Sequence, residues 1–480
     1  LSGRSDRILR LADLVLLGVV AGCATRGAPA VSPTSPELWC DAAAPAGGDG
    51  SRARPRRALP AEVPSGTQAH ASTGVYPGPV RLGPGASLTG HGLVVVASSG
   101  PGAVVSLQGA SLHHVSVQGG EVGVTAEGEV RLDQVHFSGQ RIAALRALPG
   151  ATVSARRLEL VGTLPGADGL TGEGAVFSLA GARFTGALRR AMALKGGAVS
   201  ASGLVALGPA TLLHAVDAEV TVQGASAEGG AGPALFAAGG RLVVQGLTVV
   251  GHEYAVQATR TQVRLEGVTS RGAQRAGLAL HRTSGSVRGA VVERAGDEGG
   301  LHLDQADTVL DDVSVRGARS WGVLVRLGSA VLGALTVDSV AAEPGGGHVL
   351  GEGLVVRDAR VDGGVVTVRD VEGAGLLATA QAGVHLEALE VERVGGPGAM
   401  AERGAELSLG RLQVRGSWGP ALVVSEGGQA SVGTLSSTGA EVPVWADCET
   451  GAQVTLGSVR WTGTLPPSRC VRQGGSGNQR

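Results

Sequence analysis

The chain is 480 residues long and 43% hydrophobic, with 81 glycines, 2% aromatic residues and a formal net charge of −1 at pH 7. So few rings exclude an ordinary globular core built on aromatic side chains and leave Val, Leu and Ala to fill the interior. A near-neutral charge, with arginines scattered rather than gathered in one stripe, excludes the basic field that nucleic-acid binding needs.

At the N-terminus, Arg4, Arg7 and Arg10 precede an apolar run from Leu14 to Gly22. That run is too short to span a bilayer and suits the core of a signal peptide. It ends in Val20-Ala21-Gly22-Cys23. These four residues resemble the bacterial lipobox, in which a peptidase cuts before a cysteine that then receives lipid. The resemblance implies a signal peptide over 1–22 and Cys23 as a lipidated N-terminus that anchors the protein to a membrane. Ala24, rather than Asp, after that cysteine further implies the bacterial outer membrane, with the chain facing the periplasm or the cell surface. The alternative is a buried apolar helix with an incidental cysteine. Residues 23–66 are rich in Ala, Pro and Gly and follow neither the helical nor the strand period. They read as a disordered, semi-extended tether, in which Arg52, Arg54, Arg56 and Arg57 are solvated or meet anionic head groups.

From Leu107 onward, an apolar residue, two small or polar residues and a second apolar residue recur about every 23 positions. Sixteen such units run from Leu107 through Ala110 to Leu456 through Val459, at intervals of 21 to 25 residues, with one interval of 30 between Val356 and Leu386. A fixed period of this length predicts a solenoid, in which each unit buries its apolar face only against its neighbours. The apolar residues alternate as strands require, for example Val263, Leu265 and Val268. The second residue of the bend is Gly181, Gly203, Gly224, Gly246 or Gly267, and elsewhere Asp312 or Asp358. These types accept positive φ, so the column predicts a left-handed bend between two short strands. A second strand follows another glycine, as in Gly277-Leu278-Ala279-Leu280. Two or three strands per turn predict an all-β fold: a right-handed parallel β-helix of about 16 coils over 67–472, with a flexible tail over 473–480. At roughly 4.8 Å per stacked strand, the coils would form a rod on the order of 75 Å long. The 30-residue interval must hold an extra excursion, and Val368-Arg369-Asp370-Val371 inside it also fits the bend pattern.

In period and bend residues the chain resembles the pectin-lyase-like β-helix superfamily from about Tyr76 to Val471. Members that cleave polysaccharides place carboxylates on one outer face across adjacent coils, often with Ca²⁺ or a basic residue. The resemblance therefore implies that candidates should be read by column. Counting from the glycine that opens the second strand aligns Thr259, His281, Asp304 and Arg326, with Thr379, Glu402 and Ser425 in later coils. His281, Asp304 and Arg326 would then lie within salt-bridge reach and form the candidate catalytic set, extended by His302 if it points outward. The alternative is a solvated column of surface ion pairs. Asp311-Asp312 invites comparison with paired catalytic aspartates, but Asp312 falls in the bend column and reads as a turn residue. His113-His114 reads as a bend facing solvent.

Trp321 and Trp418 share a Ser-Trp-Gly context just before a second strand, and Tyr254 lies in a similar place. Aromatic faces along one edge would suit stacking of sugar rings; loop aromatics covering the core are the alternative. Cys448 and Cys470 are 22 residues apart, one coil, which would put them in disulfide range if they occupy equivalent positions. That pairing is favoured over one with Cys40, which is left as a free thiol or an intermolecular link. Trp445 and Trp461 would then pack in the terminal coils. No metal-spaced cysteine and histidine set, phosphate loop or nucleophile elbow appears, so no cofactor or metal is expected. The sequence predicts a lipid-anchored envelope protein with a structural or ligand-binding role, its partner a polysaccharide or an envelope protein. The alternative is a polysaccharide lyase or glycoside hydrolase on the His281 face.

Overall fold

A computed structural model of the chain describes residues 35–162, 164–342, 351–461 and 469–474. Pro36–Arg480 forms one compact unit, distinct from Leu1–Ser35. The expected signal peptide and Cys23 lie outside the described residues.

One coil shows how the sequence winds. Tyr254–Thr259 forms a strand on the first face, A. Arg260, at φ 52°, turns the corner, and Gln262–Arg271 follows, bent at Gly267 with φ 64° so that it covers two further faces, B and C. A short loop returns the chain to Ala276–His281, again on face A. Each strand lies parallel to its counterpart one turn later: Val256 opposite Leu278, Val263 opposite Gly285 and Thr269 opposite Val291. About eighteen turns stack in this way. The fold is therefore all-β and a parallel β-solenoid, with two more turns than the sixteen expected. Inward positions carry Val256, Ala258, Val263, Leu265 and Val268, none more than 2% exposed. β-Branched and small residues suit a narrow interior, where inward side chains pack against those of the neighbouring rungs.

The bend column is present and admits more residue types than glycine. Gly181, Gly267 and Asp312 have φ of 68°, 64° and 53°, and His114 and Arg157 occupy the same bend at 57° and 52°. Asp312 is thus a turn residue, and exposed His114 faces solvent as expected. Two of the sixteen units belong elsewhere. Gly109 and Asp358 sit at the corner from face A to face B, a second left-handed position with the same local pattern. The long excursion consequently moves. Leu332 pairs with Gly363, 31 residues later, so the extra chain enters before Glu352 rather than between Val356 and Leu386.

The expected tether over 23–66 ends much earlier. Glu37–Cys40 is a strand that pairs in parallel with Gln68 to Ala71. Leu38, Cys40, Leu59 and Val63 are all buried in the core. This cap covers the open end of the first full turn, which would otherwise present unpaired strand edges. The basic cluster folds with it: the Arg52 guanidinium lies 5.1 Å from the Trp39 ring centre, and Arg54 sits 3.7 Å from Asp49. Cys40 is a free thiol with no exposed surface, which rules out the intermolecular link, and burial pushes its pKa up to about 11.

Cys448 and Cys470 form the expected disulfide, with Cα atoms 5.5 Å apart. It ties the short strand Val471–Gln473 to the last full turn, where Val454 pairs with Val471. Reduction, or Cys470→Ser, should release this strand alone. Hydrogen exchange should show protection lost over 471–473 and unchanged protection from Gln429 inward. Loss spreading further would mean that the bridge supports more than the terminal rung.

Candidate active site on face A

On face A, alternate residues point outward and stack in two columns. The first runs Glu173, Lys195, Val216, Ala238, Thr259, His281, Asp304, Arg326, Arg357 and Thr379. The second, two residues earlier in each strand, runs Arg146, Thr171, Ala193, His214, Phe236, Gln257, Ala279, His302, Leu324 and Val355. The solenoid therefore turns a spacing of 22 or 23 residues into contact between neighbouring side chains.

His281, Asp304 and Arg326 come together as the column predicts. His281 Nδ1 is 2.7 Å from Asp304 Oδ2, and Arg326 Nε donates to Asp304 Oδ1 at 2.8 Å. Asp304 is only 7% exposed although it points away from the core. The Arg326 hydrogen bond, against the cost of burial and joined by His281, holds the Asp304 carboxyl below its usual range. A carboxylate can only accept, so Nδ1 of His281 carries the proton facing it and Nε2 is left as the free ring nitrogen. The result is a histidine with fixed tautomer and orientation beside a guanidinium.

His302 points outward next to this set, and its ring meets Trp321 edge-on at 6.2 Å between centres. Burial lowers the His302 pKa, and its Nε2 is buried with no hydrogen-bond partner. Arg357 follows Arg326 in the column and was missed, because Val356-Arg357-Asp358-Ala359 fits the bend pattern although Asp358 turns the corner from face A to face B. Further along, Thr379 Oγ1 donates to Glu402 Oε1 at 2.9 Å. Among the described residues, no three His, Cys, Asp or Glu side chains are grouped to hold a metal.

The aromatic edge divides. Tyr254 is 3% exposed and its hydroxyl donates to Glu298 Oε2 at 2.8 Å. Burial, reinforced by Glu298, raises its pKa. A tyrosine sealed in this way offers no face to a sugar, so the expected role for Tyr254 does not hold. Trp321 is half-buried, with Nε1 donating to the Glu298 carbonyl at 3.1 Å. Trp418 alone is open, 86% exposed, and Trp445 is 48% exposed rather than packed away.

No family model matches the chain, and no curated protein does. Among solved structures, it is similar to a lacto-N-biosidase from Eubacterium ramulus at 8% identity over 68% of this chain and 67% of that one, with a TM-score of 0.29. A rhamnogalacturonan lyase shares 11% identity over 68% of this chain and 82% of its own, with a TM-score of 0.22. A pectate lyase shares 11% over 91% and 78%, with a TM-score of 0.11. Likeness this low transfers neither substrate nor mechanism. The β-solenoid stands on its own strand register.

Proposed function

We propose that the protein acts on an acidic polysaccharide lying along face A, with His281 as base and Arg326 as the group that neutralises a sugar carboxylate. The supporting observation is Asp304, buried and held from both sides, which orients His281 through Nδ1 and leaves Nε2 free. In the proposed step, Nε2 takes the proton from the carbon beside the sugar carboxylate. The C–H electron pair becomes a carbon–carbon double bond and the glycosidic C–O bond on the adjoining carbon breaks. The leaving oxygen gains a proton from solvent. Hydrolysis by paired carboxylates fits less well, since both Asp304 oxygens are committed. The next carboxylate in its column, Glu402, is four turns away, roughly 19 Å at the strand spacing and beyond the ~5–10 Å that such pairs span.

A second reading, a non-enzymatic binding rod, has its own support. Most coils add too little chain to wall a groove, and Trp418 stands open at the edge. In either reading, lipidation at Cys23 would hold the protein at the bacterial outer membrane; the support is Val20-Ala21-Gly22-Cys23 after an apolar run. The deciding experiment incubates the full chain with polygalacturonate and with alginate and follows unsaturated chain ends. Product formation abolished by His281→Ala supports the lyase reading. Binding without product supports the rod, and neither binding nor product overturns both.

A further inference from the structure

Some five turns from His281, face A carries a hollow that the sequence alone did not suggest. In the second outward column, two consecutive short side chains, Thr171 and Ala193, lie between the long Arg146 and His214. Removing bulk from two rungs in succession leaves a depression of about 500 Å³, bordered also by Arg190 and Lys195. Its length is three strand spacings, roughly 14 Å.

The walls are built rather than incidental. Asp168, 4% exposed, receives Arg190 at 3.0 and 2.7 Å and Arg189 at 3.1 and 2.7 Å, both bidentate. Burial acts to raise the Asp168 pKa, but the two arginines outweigh it and hold the carboxyl below its usual range. Arg190 is thereby fixed at the rim. Lys195, the only lysine in the chain, pairs with Glu173 at 2.8 Å. At the far end, the His214 ring stacks on Phe236 with centres 4.6 Å apart and planes 18° apart. Burial, with Arg190 nearby, lowers the His214 pKa. Its stacking partner in the opposite direction along the column would be Ala193, which has no ring, so that face of the imidazole borders the hollow. Arg146 is exposed and makes no ion pair among the described residues, unlike Arg157, Arg316 and Arg393 on other faces. Counting Arg146, Arg189, Arg190 and Lys195 against Asp168 and Glu173 leaves two positive charges.

We infer that this hollow is a binding site for one sugar ring bearing an anionic group, a carboxylate or a sulfate. The ring would continue the His214–Phe236 stack over Ala193, with its C–H face against the imidazole. The anion would meet Arg146, whose planar fork suits a two-point contact with either group. The inference goes beyond the reaction proposed for His281 and does not depend on it.

The test is calorimetric titration of the full chain carrying Arg326→Ala, which removes the carboxylate partner proposed on the His281 face, with a galacturonate trisaccharide, a sulfated galactose trisaccharide, a neutral galactose trisaccharide and inorganic sulfate. One or both acidic trisaccharides should bind, the tighter of them identifying the anion, and the neutral one should not. Arg146→Ala should weaken binding at least tenfold. Ala193→Leu, which refills the gap from an outward position, should abolish it, and both variants should keep wild-type circular dichroism and melting. His281→Ala should bind unchanged, which separates this site from the proposed reaction centre. Failure of both acidic trisaccharides to bind, binding that survives Ala193→Leu, or inorganic sulfate that binds as tightly as the trisaccharides would each overturn the inference.

Discussion

Asp304→Asn is expected to cut turnover of an acidic polysaccharide by roughly 10²–10⁴-fold while leaving substrate affinity nearly unchanged. Asparagine keeps the shape of the side chain but has one oxygen where aspartate has two. Arg326 can only donate, so the amide oxygen turns to its Nε and the NH₂ group faces Nδ1 of His281. The imidazole must then accept at Nδ1 and carry its proton on Nε2, the nitrogen proposed as base. The loss should therefore fall on kcat rather than KM, and Asp304→Ala, which frees the ring to find either tautomer, should be less severe. Equal activity in wild type and Asp304→Asn would place the base elsewhere. The same residue gives a signed pH dependence. Its folded-state carboxyl lies below the ordinary range, so its stabilising contribution is present above about pH 4 and disappears as pH falls through the depressed folded value. Denaturant melts of wild type and Asp304→Asn should thus differ by a constant amount near neutrality and converge in acid. Because Arg326 and His281 are each more than a third exposed, that constant should be small.

The His281 column was legible because a solenoid makes sequence distance equivalent to spatial position. Once the period is known, residues one period apart must touch, and His281, Asp304 and Arg326 needed no motif to be brought together. The same reasoning fails wherever the period breaks. Glu37–Cys40 and Val63 occur once, as a cap, so no repetition marks them, and a segment rich in proline and arginine reads as linker even while Leu38 and Cys40 are buried. Register is lost in a second way at Asp358. The corner between faces A and B and the bend between faces B and C both need one left-handed residue between apolar neighbours, so the local pattern cannot distinguish them. That ambiguity displaced the long excursion and hid Arg357. Burial was the third blind spot. Tyr254 and Trp418 occupy similar edges in the repeat, but Tyr254 is buried, with its hydroxyl on the Glu298 carboxylate two turns away and the Arg275 guanidinium 5.5 Å from its ring centre, whereas Trp418 is open.

Gly197→Ala should cost about 3 kcal/mol or more, against about 1 kcal/mol for Gly181→Ala, although both glycines have nearly the same φ. Their φ values are 75° and 68°, so each substitution pays the left-handed penalty of about 1–2 kcal/mol. They differ in what a new methyl would meet. At Gly181 nothing lies within 4 Å, whereas at Gly197 the added Cβ would stand 2.0 Å from the Ala175 carbonyl oxygen and 2.8 Å from its nitrogen. That oxygen accepts the Ala198 N–H at 3.0 Å, a bond that joins two rungs, so relief of the clash must separate them. Losing this bond, whose acceptor residue Ala175 is fully buried, adds about 1–3 kcal/mol. Because each rung is held only by its neighbours, the damage should remain local. Hydrogen exchange should rise in Val176–Gly186 and Ala198–Leu207, where the paired strands meet, and stay at wild-type levels around His281. Lys195 and Ala193 lie just before Gly197 on the same turn, so Gly197→Ala should also weaken anionic sugar binding at the hollow without affecting polysaccharide turnover at Asp304. Equal destabilisation by the two substitutions would mean that the rungs near Gly197 can part without cost, and that the close stacking of backbone on backbone is not what holds this solenoid in register.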